Sequence, residues 1–269
     1  MPLFHLILVA LIQGVTEFLP VSSSGHLVLL PVLTGYEDQG LVIDVAAHVG
    51  TLLAVVLYFW SDVRLALGGL GRLLRGKIDS QGAWLALCLI IATVPVVLVG
   101  LIFSLTGLSD ALRSVEVIAW TMILFGVVLY VADQRASLTK TQAHLSLKDA
   151  LKLGLWQAVA LIPGTSRSGI TITGALTLGY TREDGARIAM LMSIPTIIAS
   201  GVLSGADAIG SDVALRDVAI VIGLSFLAAL AALALMMRLL KTVSFTPYVI
   251  YRIALGVMLL GLVYGGALS

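Results

Sequence analysis

Charge is scarce in this chain. Asp, Glu, Lys and Arg make up 12% of its 269 residues, against 59% for the hydrophobic set. A soluble domain needs a polar shell that this composition cannot supply, so the chain is an integral membrane protein. The net charge is +1, and the charges sit in gaps between apolar runs. No basic face is left for nucleic acid, which is excluded as a partner. Cysteine is nearly absent too: the single Cys88 lies inside WLALCLIIATVPVVLVGLIF as a small apolar packing residue. That excludes a disulfide framework and a thiolate metal site. The N-terminus has no basic stretch and no clear small-residue cleavage site, so no removable signal peptide is expected.

Long apolar runs are what the sequence has instead. Six could each cross a bilayer, at roughly 43 to 60, 83 to 105, 115 to 131, 186 to 206, 215 to 237 and 247 to 266. Two further apolar regions, 3 to 33 and 151 to 179, are broken near the middle by LPVSSSGH and IPGTSRSG. Proline removes a backbone donor and glycine favours turns, so each region is expected to form a pair of short helices around an irregular loop. Such backbone survives at membrane depth only where protein or water satisfies it.

The two broken regions resemble each other. Offset by 144 residues, Gln13 meets Gln157, Ser22 meets Ser166, Ser24 meets Ser168, Gly25 meets Gly169, Gly35 meets Gly179 and Tyr36 meets Tyr180. Downstream, GTLLA at 50 to 54 faces PTIIA at 195 to 199 with one more residue inserted. An internal duplication accounts for this shared order. The basic loops are 61 to 82 and 132 to 152, with a smaller pair at Arg238 and Lys241, and these are assigned to the cytoplasm. Alternating the spans leaves residues 36 to 42 outside and 180 to 187 inside, so the two broken hairpins dip in from opposite faces. The fold expected is an all-α polytopic membrane protein. It is one domain over 1–269, an inverted repeat with six full spans and two re-entrant hairpins, its halves approximately 1–131 and 151–269 joined by a cytoplasmic loop 132–150.

Ionisable groups at membrane depth cost several kcal/mol, roughly 2.5 to 3.5 each for Asp or Arg on insertion scales, unless they face a polar cavity and one another. Glu17, Ser23, His26 and Arg167 are therefore expected to share one cavity. The serines at 22 to 24 also suit helix capping, and His26 a supporting hydrogen bond. Asp44 and His48, four residues apart, read as an interfacial hydrogen-bonded pair.

QGVTEFLPVSSSGH and PGTSRSG closely resemble the paired motifs of the bacterial undecaprenyl-pyrophosphate phosphatases, the BacA or UppP family. DVAAHVGTLLAVV and SFTPYVIYRI extend the resemblance over the whole chain. Gln13 is the amide version of the first motif position, where the family carries an acid or an amide. The resemblance implies hydrolysis of undecaprenyl pyrophosphate to undecaprenyl phosphate and inorganic phosphate, which recycles the lipid carrier for cell-wall synthesis. It also implies dependence on a divalent cation, and a place in the bacterial inner membrane.

The residues fit that chemistry by themselves. A pyrophosphate needs cations and backbone donors, which Arg167 and the amides of the two Gly/Ser-rich loops supply at Ser22, Gly25, Gly164, Thr165, Ser166, Ser168 and Gly169. Arg252 is a candidate second charge. Ser23 is the candidate nucleophile, and Glu17, with Gln13 one turn back, can orient His26, act as base, or hold Mg²⁺ or Ca²⁺ against the substrate. A transporter or flippase of a phosphorylated lipid is the alternative that the repeat and broken helices alone would suggest. Assembly with further copies of the chain stays open.

Overall fold

The computed structural model describes residues 2–36, 39–207 and 213–266. Among the described residues all regular structure is helical, apart from one isolated bridge between Lys140 and Tyr180. The first broken region forms α1 (Leu3–Thr16), then α2 (Ser23–Leu27) and α3 (Leu30–Thr34). After it come α4 (Leu41–Tyr58), α5 (Trp60–Leu73), α6 (Gln81–Thr106), α7 (Leu108–Ala111) and α8 (Val115–Arg135). The second broken region forms α9 (Leu147–Ala158) and α10 (Arg167–Thr177), followed by α11 (Arg182–Asp207), α12 (Leu215–Leu239) and α13 (Thr246–Tyr264).

Six of these, α4, α6, α8, α11, α12 and α13, are long and apolar enough to cross a membrane. They coincide with the six spans read from the sequence to within a few residues. Residues 37 to 38, in the stretch 36 to 42 assigned to the outside, and residues 208 to 212 lie outside the described residues.

One expectation is corrected. The basic stretch 61 to 82 was expected to be a loop, but most of it is α5, which packs along α6. Its charges make it too polar to register as a span, while its buried side, Asp62, Val63 and Gly69, lies on α6. A Cβ at Gly69 would strike the backbone of Gly82, so the two helices touch main chain to main chain.

Small residues set the other close contacts, as expected where lipid offers no hydrophobic drive between helices. α12 nests between α1 and α4: a Cβ at Gly14 would come 2.8 Å from the Ser225 carbonyl, and one at Gly50 would reach the Ile222 carbonyl and crowd Phe226 N at 3.0 Å. α8 pairs with α13, α6 with α9, and α10 lies against α8, α9 and α11. Large apolar side chains such as Leu98, Ile102, Val202, Leu227 and Ile250 point outward, as a bilayer-facing surface requires.

One end of the bundle is tied by ion pairs. Arg187 holds Asp62 at 2.7 Å and Arg182 holds Asp133 at 2.6 Å. Asp133 also accepts from Phe245 N at 3.1 Å, and Lys140 pairs with Asp149 at 3.1 Å. These contacts bring 62, 133, 140, 182, 187 and 245 to a common end, which is the grouping that the basic-residue argument assigned to one side.

Candidate active site

Both broken regions bend at a serine that no L-residue adopts cheaply. Ser22 has φ 73° and ψ 103°, and Ser166 has φ 70° and ψ 112°; each stands at the N-cap of the short helix that follows. Each then contacts the serine two residues on, Ser22 Oγ to Ser24 Oγ at 3.0 Å and Ser166 Oγ to Ser168 Oγ at 3.1 Å. The ends of the two regions correspond as well. His5 packs edge-on against Tyr36 with ring centroids 5.3 Å apart, and at the same offset Tyr180 donates its hydroxyl to Asp149 at 2.9 Å.

The two loops are bonded to each other. Gly164 N donates to Ser24 Oγ at 3.2 Å, and Ser168 Oγ donates to the Leu19 carbonyl at 3.0 Å. Arg252, fully buried, ties the junction. Its Nη1 donates to Pro20 O at 3.4 Å, its Nη2 to Gly164 O at 3.2 Å and Thr165 O at 2.9 Å, and its Nε to Met122 O at 3.3 Å. A Cβ at Gly169 would come within 2.8 Å of Arg252 Nη1, and one at Gly25 would run into Met122. Gly164, at φ 84°, sits against Thr121 and Ile118.

Glu17 is the hub of the cluster. Arg167 Nη2 donates to its Oε1 at 2.6 Å, Gln13 Nε2 donates to its Oε2 at 2.8 Å, and Ser23 Oγ reaches the same Oε2 at 3.4 Å. The other Arg167 terminal nitrogen, Nη1, is buried with no hydrogen-bond partner among the described residues. A buried donor left open beside a hydroxyl suits an arriving anion. The cluster heads a cavity of about 610 Å³ whose walls are α4 and α11, with Leu41, Val45, Val49 and Leu52 on one side and Ile197, Ile198 and Val202 on the other.

The structure brings Gln13, Glu17, Ser23 and Arg167 together, and Ser22, Ser24, Gly164 and Ser166 join the cavity wall. Gly25, Thr165, Ser168 and Gly169 lie behind that lining. Two candidates lie elsewhere. Arg252 is spent on carbonyl oxygens, and His26, expected in the same cavity, turns away from it to Tyr251, whose hydroxyl lies 2.6 Å from Nε2. Ser23 and His26 share α2, but their side chains run to different partners, Ser23 Oγ to Glu17 and His26 Nε2 to Tyr251.

The imidazole that does face the cavity is His48. Its Nε2 lies 3.2 Å from Gln13 Nε2 and 3.9 Å from Glu17 Oε2, and its Nδ1 lies 2.8 Å from Asp44 O. An amide nitrogen only donates and a carbonyl oxygen only accepts, so Nδ1 carries the proton and Nε2 accepts. The Asp44–His48 spacing was visible in the sequence, but the bond runs to the main chain of Asp44, whose Oδ1 accepts from Gln39 at 2.7 Å. What the spacing does not carry is that His48 reaches across to α1.

Among the described residues no group of three or more His, Cys, Asp or Glu could hold a metal ion. Glu17 is a single carboxylate, which fits Mg²⁺ or Ca²⁺ whose other ligands are phosphate oxygens and water, not an ion caged by protein alone.

The family model described as bacitracin resistance protein BacA matches residues 6–258. A protein named undecaprenyl-diphosphatase from Ruegeria pomeroyi (strain ATCC 700808 / DSM 15171 / DSS-3) is 70% identical over 266 residues, covering 98% of this chain and all of its own. One of the same name from Ruegeria sp. (strain TM1040) is 68% identical, again over 98% of this chain and 100% of its own. A more distant one, from Saccharophagus degradans (strain 2-40 / ATCC 43961 / DSM 17024), is 46% identical over 98% of this chain and 99% of its own.

Proposed function

The chain belongs to the family of bacitracin resistance protein BacA, and from that premise we infer that it hydrolyses undecaprenyl pyrophosphate to undecaprenyl phosphate and inorganic phosphate. The observation that carries the reading is the Ser23, Glu17 and Arg167 cluster at the head of an apolar-walled cavity. The terminal phosphoryl group binds at Arg167, whose planar fork holds two oxygens at once. Ser23 Oγ attacks the terminal phosphorus, its proton passing to Glu17 Oε2, and the bridging P–O bond breaks to release the lipid monophosphate. Water then hydrolyses the phosphoserine and frees inorganic phosphate. Gln13 holds Glu17 in place, Ser22, Ser24, Ser166 and Gly164 line the bound head group, and the polyprenyl tail leaves between α4 and α11.

Arg252, Ser168, Thr165, Gly25 and Gly169 act one layer back, keeping the two loops joined. Glu17 would be the residue to hold a divalent cation, Mg²⁺ or Ca²⁺, which when bound would supply charge neutralisation for the leaving phosphate.

We further propose that the halves 1–131 and 151–269 are an inverted duplication, and that the two broken regions are re-entrant from opposite faces of the inner membrane. The paired conformations of Ser22 and Ser166 support the duplication. The basic residues at the ion-paired end support its assignment to the cytoplasm, which leaves the cavity opening toward the outer face.

Purified protein given undecaprenyl pyrophosphate is expected to release inorganic phosphate. Absence of release from folded protein, with divalent cation present, overturns the reading. Cysteines placed at 36 to 42 are expected to be labelled from the outer face, and labelling only from the cytoplasm overturns the orientation.

A further inference from the structure

His26 and Tyr251 form a unit that the reaction described above does not use. Tyr251 is 46% exposed on α13, and its ring stacks on His26 with centroids 5.5 Å apart and planes 7° apart. His26 Nδ1 lies 2.7 Å from the Ser22 carbonyl oxygen. That oxygen can only accept, so Nδ1 carries the proton; in the neutral ring Nε2 is then the acceptor, filled by the Tyr251 hydroxyl at 2.6 Å. Both ring nitrogens are occupied, and neither faces Ser23 or Glu17.

We infer that His26 is a positioning residue, not the base, and that Tyr251 is the partner that holds it there. The inference rests on the phosphatase reading for its consequence. The Ser22 carbonyl belongs to the planar peptide whose nitrogen is that of Ser23, so fixing its direction fixes how Ser23 leaves the strained residue and where its Oγ points. The second loop shows what is being replaced. There, Ser166 Oγ caps Gly169 N at 3.2 Å, and Ser166 O accepts from the main-chain N–H of Ile170 at 2.9 Å. Ser22 makes no side-chain cap, and the residue at the place of Ile170 is His26, whose ring supplies the N–H to the carbonyl. The imidazole closes a turn that its sister loop closes with a hydroxyl and a peptide group.

The test compares His26→Ala, His26→Gln and Tyr251→Phe, each checked for a folded, monodisperse state in detergent. A glutamine amide can still donate to Ser22 O but cannot take a proton. His26→Gln is therefore expected to keep at least about one fifth of kcat, while His26→Ala loses roughly 10- to 100-fold with KM little changed. Tyr251→Phe is expected to lose about 2- to 10-fold, also in kcat. A folded His26→Gln as inactive as His26→Ala overturns the inference. A second readout needs no substrate: the ¹⁵N shifts of His26 are expected to show a protonated Nδ1 and an Nε2 that moves in Tyr251→Phe but not in Ser23→Ala. An Nε2 that follows Ser23 and ignores Tyr251 overturns it, even if the glutamine variant fails to fold. If the wild type releases no phosphate the function reading fails, and these shifts still decide the placement of His26.

Discussion

The two loops at the junction share a backbone and differ in chemistry. Ser22 and Ser166 have the same left-handed conformation, and Ser24 with Ser168 and Gly25 with Gly169 keep the same places behind them. Other positions diverge. Glu17 stands where the second loop has Leu161 and Ser23 where it has Arg167, both facing the cavity, and His26, behind it, stands where the second loop has Ile170. The first loop holds the hydroxyl and the carboxylate, the second holds the cation, and an ion pair of 2.6 Å joins them. The difference teaches that conformation and reactivity are carried by separate positions. The first set holds the turn open, and the second decides what the turn does.

The comparison is sharpest at the position shared by Ser23 and Arg167. If the first loop holds the nucleophile, Ser23→Ala is expected to lower kcat by about 10⁴-fold or more. Substrate labelled at the terminal phosphate and quenched during turnover should leave label on Ser23. No label, with a loss of only roughly 10- to 1000-fold, would give the attack to water and make Ser23 a transition-state donor.

A second contrast lies one turn earlier. Glu17→Gln is expected to cost about 10³-fold in kcat, within the range of a lost general base, and Leu161→Ala, at the matching place, less than about fivefold. Equal losses measured on folded protein would mean that Glu17 acts through the loop's shape, and the division of labour would be broken. Arg167→Lys follows at about 100-fold, because lysine keeps the charge and loses the fork. Activity within about twofold of wild type would reduce Arg167 to a counter-ion of Glu17.

Much of this was legible in the sequence and the rest was hidden for physical reasons. Long apolar runs announce themselves, so all six spans and both broken regions could be read before any coordinates. α5 could not, because Asp62, Arg64 and Arg72 lower its hydropathy while its glycines let it lie flat on α6. Glu17, Ser23 and Arg167 were readable as costly groups needing one another. The direction of His26 was not, since it depends on the turn at Ser22 and on Tyr251, 225 residues away. In the sequence Arg252 reads as a second charge for the pyrophosphate. Its donors instead end on four carbonyls that no periodicity reveals.

The smallest expected effect tests how each turn is held rather than what it catalyses. Both serines have positive φ, so glycine relieves about 1 to 2 kcal/mol of strain at either place, offset in part by a more flexible unfolded chain. The side chains are not equivalent: Ser166 Oγ caps α10 through Gly169 N, and Ser22 Oγ caps nothing. Ser166→Gly should therefore be less stable than Ser22→Gly by about 1 kcal/mol, the lower end of what a buried donor left without its acceptor costs, here Gly169 N. In thermal unfolding that is a difference of about 2 °C for a chain of this size. Midpoints that coincide would mean that the hydroxyl cap of the second loop carries no energy. The first loop's need for His26 would then have to come from somewhere other than its missing cap.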